Sequence, residues 1–324
     1  MALRKTSIIR WTGSGNLGDL KSAVKSVLRS NGAEGRVWGV GNAVVAEGND
    51  PLGVAALLGN MPGVAWIAAG EIVRSSRQLS SASARIAPRY LRRGDRFRVL
   101  AEGTAGAIAS DLSGTVTSAI LESVRGARAS EGEAGVTFRA AFDGTMGAVG
   151  VEVRKGPGGV PTGREKAVCI VSGGMHSSVL AWAAALSGYR VRLVHARTND
   201  DALKAVAVLY AELSHRVNPR GLGLEVLHGD STLQTLARFA SKSGVPNFGG
   251  FHRGGSEVPA LLRGGVLAPL YLLPREGFES AFETLGVKAH ESKETWNVKG
   301  TGRFVSRKIS GATYDVSGVL DALR

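Results

Sequence analysis

Ala167-Val168-Cys169-Ile170-Val171-Ser172-Gly173-Gly174-Met175-His176-Ser177-Ser178 is the stretch on which the fold turns. Five apolar residues in succession read as a strand buried on both faces, the form that a covered parallel sheet requires. Ser-Gly-Gly breaks the strand, and Val179 to Leu186 reads as a helix. The pattern then repeats: Tyr189 to His195 is a second strand, Ala202 to Leu213 a second helix and Leu224 to Leu227 a third strand. Strand alternating with helix predicts an α/β fold with a doubly wound, Rossmann-like parallel sheet. The turn at Ser172 sets backbone N–H groups at the positive end of a helix, with glycines allowing close approach, which is a site for phosphate. The hydroxyls of Ser172, Ser177 and Ser178 add donors. A Gly-Gly turn alone also serves merely to join a strand to a helix; its place after the first strand of the sheet is what gives it weight.

Toward the N-terminus the elements are shorter. Thr6 to Trp11 reads as a strand, Leu17 to Leu28 as an amphipathic helix stopped by Asn31-Gly32, and Arg36 to Val40 with Ala43 to Ala46 as a hairpin. A helix from Pro51 to Leu58 and a strand from Val64 to Ala68 complete a βαββαβ order, that of a small ferredoxin-like domain. From Gln78 a helical stretch leads to a strand at Arg96 to Ala101, a helix at Ser113 to Val124 and strands at Val136 to Phe142 and Ala148 to Arg154. Gly156 to Gly163, rich in Gly and Pro, is expected to be neither helix nor central strand but a linker or a close-approach loop, and a domain boundary is expected near Gly163.

The 324 residues carry 40 basic and 27 acidic side chains, a formal charge of +13, with 44% hydrophobic residues and a mean hydropathy of +0.04. That is enough apolar material for real cores, unlike a disordered chain. No apolar run approaches the roughly 20 residues of a membrane helix, and the first residues lack a signal-peptide pattern, so no membrane contact and a cytoplasmic location are expected. A single cysteine, Cys169, rules out an intramolecular disulfide and a cysteine-pair zinc site. Between Arg74 and Arg98 stand eight arginines and one acid. Arginine binds phosphate through a two-pronged fork, so this cluster points to nucleic acid; the alternative is a solvated face paired with acids elsewhere.

Ser172-Gly173-Gly174-Met175-His176-Ser177 resembles the Ser-Gly-Gly-x-Asp-Ser loop of the ATP-cleaving PP-loop family. Val136 to Gly163, leading into that loop, resembles the junction between the THUMP and PP-loop domains of the ThiI family, the tRNA 4-thiouridine synthetases. His195-Ala196-Arg197-Thr198, and Ala268-Pro269-Leu270 followed by Phe278 to Gly286, are similar to later elements of that family. The resemblance implies three domains: a ferredoxin-like domain at 1–75, a THUMP domain at 76–163 and a PP-loop-like domain at 164–324. It implies binding to the acceptor-stem region of tRNA through Arg85, Arg89, Arg92, Arg93, Arg96, Arg98, Arg154, Lys155 and Arg164. It implies ATP or AMP at Ser172, Gly173, Gly174, His176, Ser177, Ser178 and His195.

Three departures follow. His176 stands where the family has aspartate, and imidazole is a poor ligand for magnesium, a hard ion, so magnesium and metal-assisted adenylation are in doubt. His176 is open to two readings, a cation beside phosphate or a helix-start residue with no ligand. No cysteine follows Cys169, so a thiolate relay cannot be drawn on this chain. The segment Asn247 to Glu257, with His252 and Arg253, differs from the family's loop there. The expected function is therefore a tRNA-binding, ThiI-like protein with a degenerate nucleotide site that lacks complete thiolation activity. The alternatives are an active ATP-dependent tRNA 4-thiouridine synthetase using external sulfur, and an RNA chaperone with no nucleotide site. No catalytic residue is assigned, no metal site is expected, and a homodimer is left open.

Overall fold

Ile8 and Ile9, on neighbouring positions of one strand, bury opposite faces of a sheet, and the first half of the chain grows around them. The computed structural model describes all residues except 1–4, 12–15, 34, 49, 104–105, 164, 218, 251–257, 272–273, 286–300, 312–314 and 324. Two compact units divide between Pro161 and Thr162.

The first unit runs β1 (Lys5–Trp11), α1 (Leu17–Ser30), β2 (Val37–Val40), β3 (Ala43–Glu47), α2 (Pro51–Leu58), β4 (Val64–Val73), α3 (Ser76–Ile86), β5 (Arg96–Gly103), α4 (Gly106–Ser123), β6 (Arg128–Ala129), β7 (Val136–Phe142) and β8 (Gly147–Gly158). The helix starts are written in the sequence: Asn16, Asp50 and Ser75 each accept a first-turn N–H through the side chain, and Pro51 occupies a position where no N–H is missed. All eight strands form one sheet in the order β2-β3-β1-β4-β8-β7-β5-β6, so segments 1–75 and 76–163 share it. One face packs under α1 and α2 through Leu20, Val24 and Leu58, and under α3 and α4 through Leu79, Val116 and Phe138. The other face curls inward over Ile8, Val45, Trp66 and Ala141. The curl is tight enough that a Cβ on Gly41 would lie 2.9 Å from the Gly103 carbonyl oxygen. It also lets Arg10 on β1 pair with Glu102 on β5, across three intervening strands.

One expectation is corrected. Gly156-Pro157-Gly158 is strand, the last part of β8, paired with β4 as Val64↔Gly158 and Trp66↔Lys155. Proline is accommodated because the register shifts between Val64 and Trp66, and because β7 pairs with β8 no further than Val151, so this stretch has one neighbour. Glycine is required at 156, where a Cβ would lie 2.2 Å from the Val64 carbonyl oxygen.

The second unit runs β9 (Lys166–Ile170), α5 (Met175–Leu186), β10 (Arg190–Ala196), α6 (Asp200–Ser214), β11 (Leu222–Gly229), α7 (Thr232–Lys242), β12 (Asn247–Gly249), α8 (Val258–Arg263), β13 (Val266–Leu267), α9 (Arg275–Leu285), β14 (Phe304–Ser310) and α10 (Val316–Leu323). Its sheet has the order β13-β12-β9-β10-β11-β14, parallel except for β14. This is the doubly wound α/β sheet expected from the alternation. Cys169, Leu193 and Leu224 face one apolar layer, and Val168, Val194 and Leu227 face the other. The chain leaves β9 toward β10 on one side and later returns to β12 on the other. The carboxyl end of β9 is thus a switch point, where open α/β sheets leave a crevice.

Candidate phosphate loop and nucleic-acid surface

The crevice holds the Ser172 loop. Gly173 has φ +88°, and a Cβ there would lie 2.5 Å from the Ala205 Cβ, so the fold itself demands glycine. Gly250, after β12, is demanded likewise: its Cβ would lie 2.5 Å from the His176 carbonyl oxygen. Gly174 differs. Its φ of −79° and ψ of 168° suit any residue, and a Cβ would meet the Ser172 Oγ at an ordinary 3.5 Å. Gly174 is the N-cap of α5 and has no side chain to accept a first-turn N–H. The amide end of α5 is therefore uncapped beneath a glycine that packing does not require, an arrangement into which a phosphate oxygen fits.

The serines hold the loop in shape. Ser177 and Ser178 are buried, and their hydroxyls both donate to the Gly174 carbonyl, at 3.0 and 2.9 Å. The Ser177 Oγ also accepts from the Ser172 N–H at 3.2 Å, and the Ser172 Oγ accepts from the Gly174 N–H at 3.4 Å. His176 lies half-buried on the ring of Phe278 from α9, with centroids 4.3 Å apart. His195, 1% exposed at the end of β10, places Nδ1 3.0 Å from the carbonyl oxygen of Val171. A carbonyl only accepts, so Nδ1 carries the hydrogen and Nε2 keeps its lone pair, buried without a partner. Burial holds His195 down to about 4, so it is neutral at pH 7 and pins the residue before the loop.

The donor set fits phosphate and does not fit a hard cation, because the loop offers no carboxylate. Among the described residues, no group of three or more His, Cys, Asp or Glu could hold a metal. Cys169 is fully buried within β9, and burial pushes its thiol up to about 12, which makes it packing and no nucleophile. His252 and Arg253 lie outside the described residues.

The arginines separate into two groups. Arg85 pairs at 2.7 Å with Glu71, a buried carboxylate. Among the described residues, none of the other seven arginines from Arg74 to Arg98 has a carboxylate partner. Arg89, Arg92, Arg93 and Arg96 lie exposed on the connection from α3 into β5. Arg92 also donates to the carbonyls of Pro88 and Leu91, at 2.9 and 3.2 Å. Arg98, on β5, donates to the hydroxyl of its register partner Thr137 on β7 at 3.0 Å. At the same end of the sheet Lys155 is exposed, whereas the Arg154 guanidinium is half-buried and donates to Asn60 at 2.8 Å. Arg164 lies outside the described residues.

Two further cations join this edge. Arg128 on β6 lies opposite Arg96 in register, and both it and Arg125 are exposed. The connection is held by bonds from the Gly94 N–H to the Gly126 carbonyl and from the Arg128 N–H to the Asp95 carbonyl, at 2.8 and 2.9 Å. The sequence signal was Arg125-Gly126-Ala127-Arg128, a turn with two arginines some 30 positions beyond the cluster, which only the parallel pairing of β5 with β6 brings to it. Glu131 and Glu133 line a cavity of about 710 Å3 together with Arg96 and Arg98, so the edge is not purely cationic.

No family model matches the chain, and no curated protein resembles it in sequence. Solved structures do share its fold. PH1313 from Pyrococcus horikoshii Ot3 superimposes with a TM-score of 0.69 at 19% identity, over 87% of this chain and 99% of that one. A 4-thiouridine synthetase, solved as an RNA complex with bound ATP, superimposes with a TM-score of 0.68 at 16% identity, over 88% of this chain and 85% of that one. At these identities the likeness establishes that the chain has a fold like that of the 4-thiouridine synthetases.

Proposed function

We propose that this protein binds tRNA through the arginine edge of its first unit and a nucleotide phosphate at the Ser172 loop of its second, without completing a thiolation reaction. In this reading residues 1–75 form a ferredoxin-like domain, 76–163 a THUMP domain and 164–324 a PP-loop-like domain, in a cytoplasmic protein that grips the acceptor stem. The observation that carries it is the exposed run Arg89, Arg92, Arg93, Arg96, Arg125 and Arg128, which has no carboxylate partner among the described residues. Cations left unpaired by folding remain available to phosphates. The neighbouring fold solved with RNA and ATP supports both ligands. Loss of chemistry is supported by His176 in place of a carboxylate and by the inert, buried Cys169.

The test is tRNA binding measured between 50 and 200 mM salt, on the order of the range over which phosphate contacts weaken strongly. Wild type should bind with a steep salt dependence, and Arg96→Ala with Arg128→Ala should weaken binding across RNA sequences while lowering the slope by about two. Salt-independent binding, or none, overturns the proposal. Release of pyrophosphate from ATP with saturating tRNA would favour an active adenylating enzyme instead.

A further inference from the structure

The sheet of the second unit has a second edge, opposite the one that carries the Ser172 loop. At the amino ends of β9, β10 and β11 opens a cavity of about 620 Å3, within the range of about 300–1,000 Å3 typical of ligand sites. Val168, Val191 and Leu222 line it from the strands, their side chains buried in the two core layers. Its rim carries Lys166, Arg190, Arg192 and Arg220, with the hydroxyl residues Ser243 and Ser310 between them. No carboxylate lines it. Glu225, deeper in the sheet, is enclosed, accepting from Arg192 at 3.5 Å and pairing with Lys308 at 3.3 Å. The exposed acid at this edge is Glu165, next to Lys166, whose backbone carbonyl accepts from the Arg190 N–H at 2.7 Å. Arg190 is steadied by donating from Nε to the Gly163 carbonyl at 3.0 Å. Lys166 is exposed and has no partner among the described residues.

Adjacent strands lie about 4.8 Å apart, so cations on three successive strand starts spread positive charge over about 10 Å. That exceeds one phosphate and suits successive phosphates of a chain. We propose that this amino edge is a second RNA-contact surface, which holds backbone phosphates of the bound RNA away from the Ser172 crevice. The assignment rests on the RNA-binding reading above, and the experiment separates the two.

Lys166→Ala with Arg190→Ala is compared with Arg96→Ala plus Arg128→Ala for tRNA affinity as a function of salt. Lys166→Arg with Arg190→Lys serves as the charge-keeping control. The amino-edge alanine pair should lower the salt slope by one to two, at roughly 0.7–0.9 per phosphate contact, and weaken binding about tenfold; the control pair should restore the slope. Photo-crosslinking of tRNA to wild type should label the peptides containing Arg190–Arg192 and Arg220. An unchanged slope together with no crosslink there overturns the second surface, and leaves the first-unit reading standing if the Arg96 and Arg128 variant weakens binding. The converse result, loss only in the amino-edge variant, upholds this surface and refutes the role given to the first unit.

Discussion

Gly173 and Gly174 are neighbours with opposite reasons to be glycine, and alanine at each separates the fold from the ligand. Alanine at 173 enters left-handed backbone, at a cost of about 1–2 kcal/mol. Its methyl also meets the Ala205 Cβ at 2.5 Å, an overpacking cost of about 1–3 kcal/mol. The stiffer unfolded chain returns about 0.4–1 kcal/mol. The net loss is then about 2–4 kcal/mol, which at about 2–4 °C per kcal/mol lowers the melting midpoint by about 5–15 °C. Alanine at 174 keeps φ at −79° and meets only the Ser172 Oγ at 3.5 Å. Its poorer N-cap preference is offset by the same unfolded-chain gain, so stability changes by less than about 0.5 kcal/mol. The methyl instead stands over the amide end of α5. Differential scanning calorimetry with and without ATP reads both effects. At a ligand concentration of 100 Kd wild type gains about 2.7 kcal/mol, and a tenfold weaker site at the same concentration gains about 1.4. If Gly174→Ala melts as early as Gly173→Ala, or keeps the full gain from ATP, the loop is a connection and the phosphate reading fails.

Glu152 receives the Arg139 guanidinium at 2.9 and 2.6 Å, and that guanidinium lies 3.9 Å over the ring of Trp66. Burial lowers the Arg139 pKa, yet the group stays charged, so Glu152→Gln should destabilise the first unit by about 3 kcal/mol in chemical denaturation; a loss below 1 would show that the cation finds another partner. His195 titrates near 4 folded against 6.5 unfolded, so the unfolded chain takes up the proton first. Stability is full above about pH 6.5 and declines by about 3 kcal/mol toward pH 4, a decline that His195→Asn should flatten in a pH series of melting midpoints. His228 is lowered too, by burial and by Arg197 and Arg307, and adds in the same direction. Cys169 should resist a disulfide reagent in the native protein and react on unfolding; rapid native reaction would contradict its burial.

Much of this architecture was legible because local signals agreed with it. The run Ala167 to Val171 became β9, and the amphipathic Leu17 to Leu28 became α1, closed at Ser30 before Asn31-Gly32. Pro51 marked α2 from its first residue. The misreading of Gly156 to Gly158 has a physical cause. A proline is costly in a central strand only where its missing N–H would have paired, and a register shift, visible only when β4 lies alongside, removes that demand. The inward curl of the first sheet could not be read either. It depends on contacts remote in sequence, such as Gly41 near Gly103 and Arg10 with Glu102. In the site, the glycine pattern was readable but the division of labour within it was not. Gly173 and Gly174 look alike until the position of Ala205 is known.

The same distinction governs the charge. Arg85 and Arg139 each meet a carboxylate that is largely buried, and Arg10 meets Glu102 across the curl. Removing such an arginine leaves a desolvated acid behind, so selection on these positions is selection for the fold. Arg89, Arg93, Arg96, Arg125 and Arg128 are exposed on turns and strand ends, where deletion strands no buried partner. Their mutual repulsion slightly disfavours the folded state, so stability gives no reason to gather them at one edge. A cluster that folding does not need and mildly opposes is accounted for, in the function proposed above, by a polyanion that relieves the repulsion. Substitutions at these positions should therefore change the salt slope of binding while leaving the melting midpoint in place, whereas those at Arg85 and Arg139 should do the reverse.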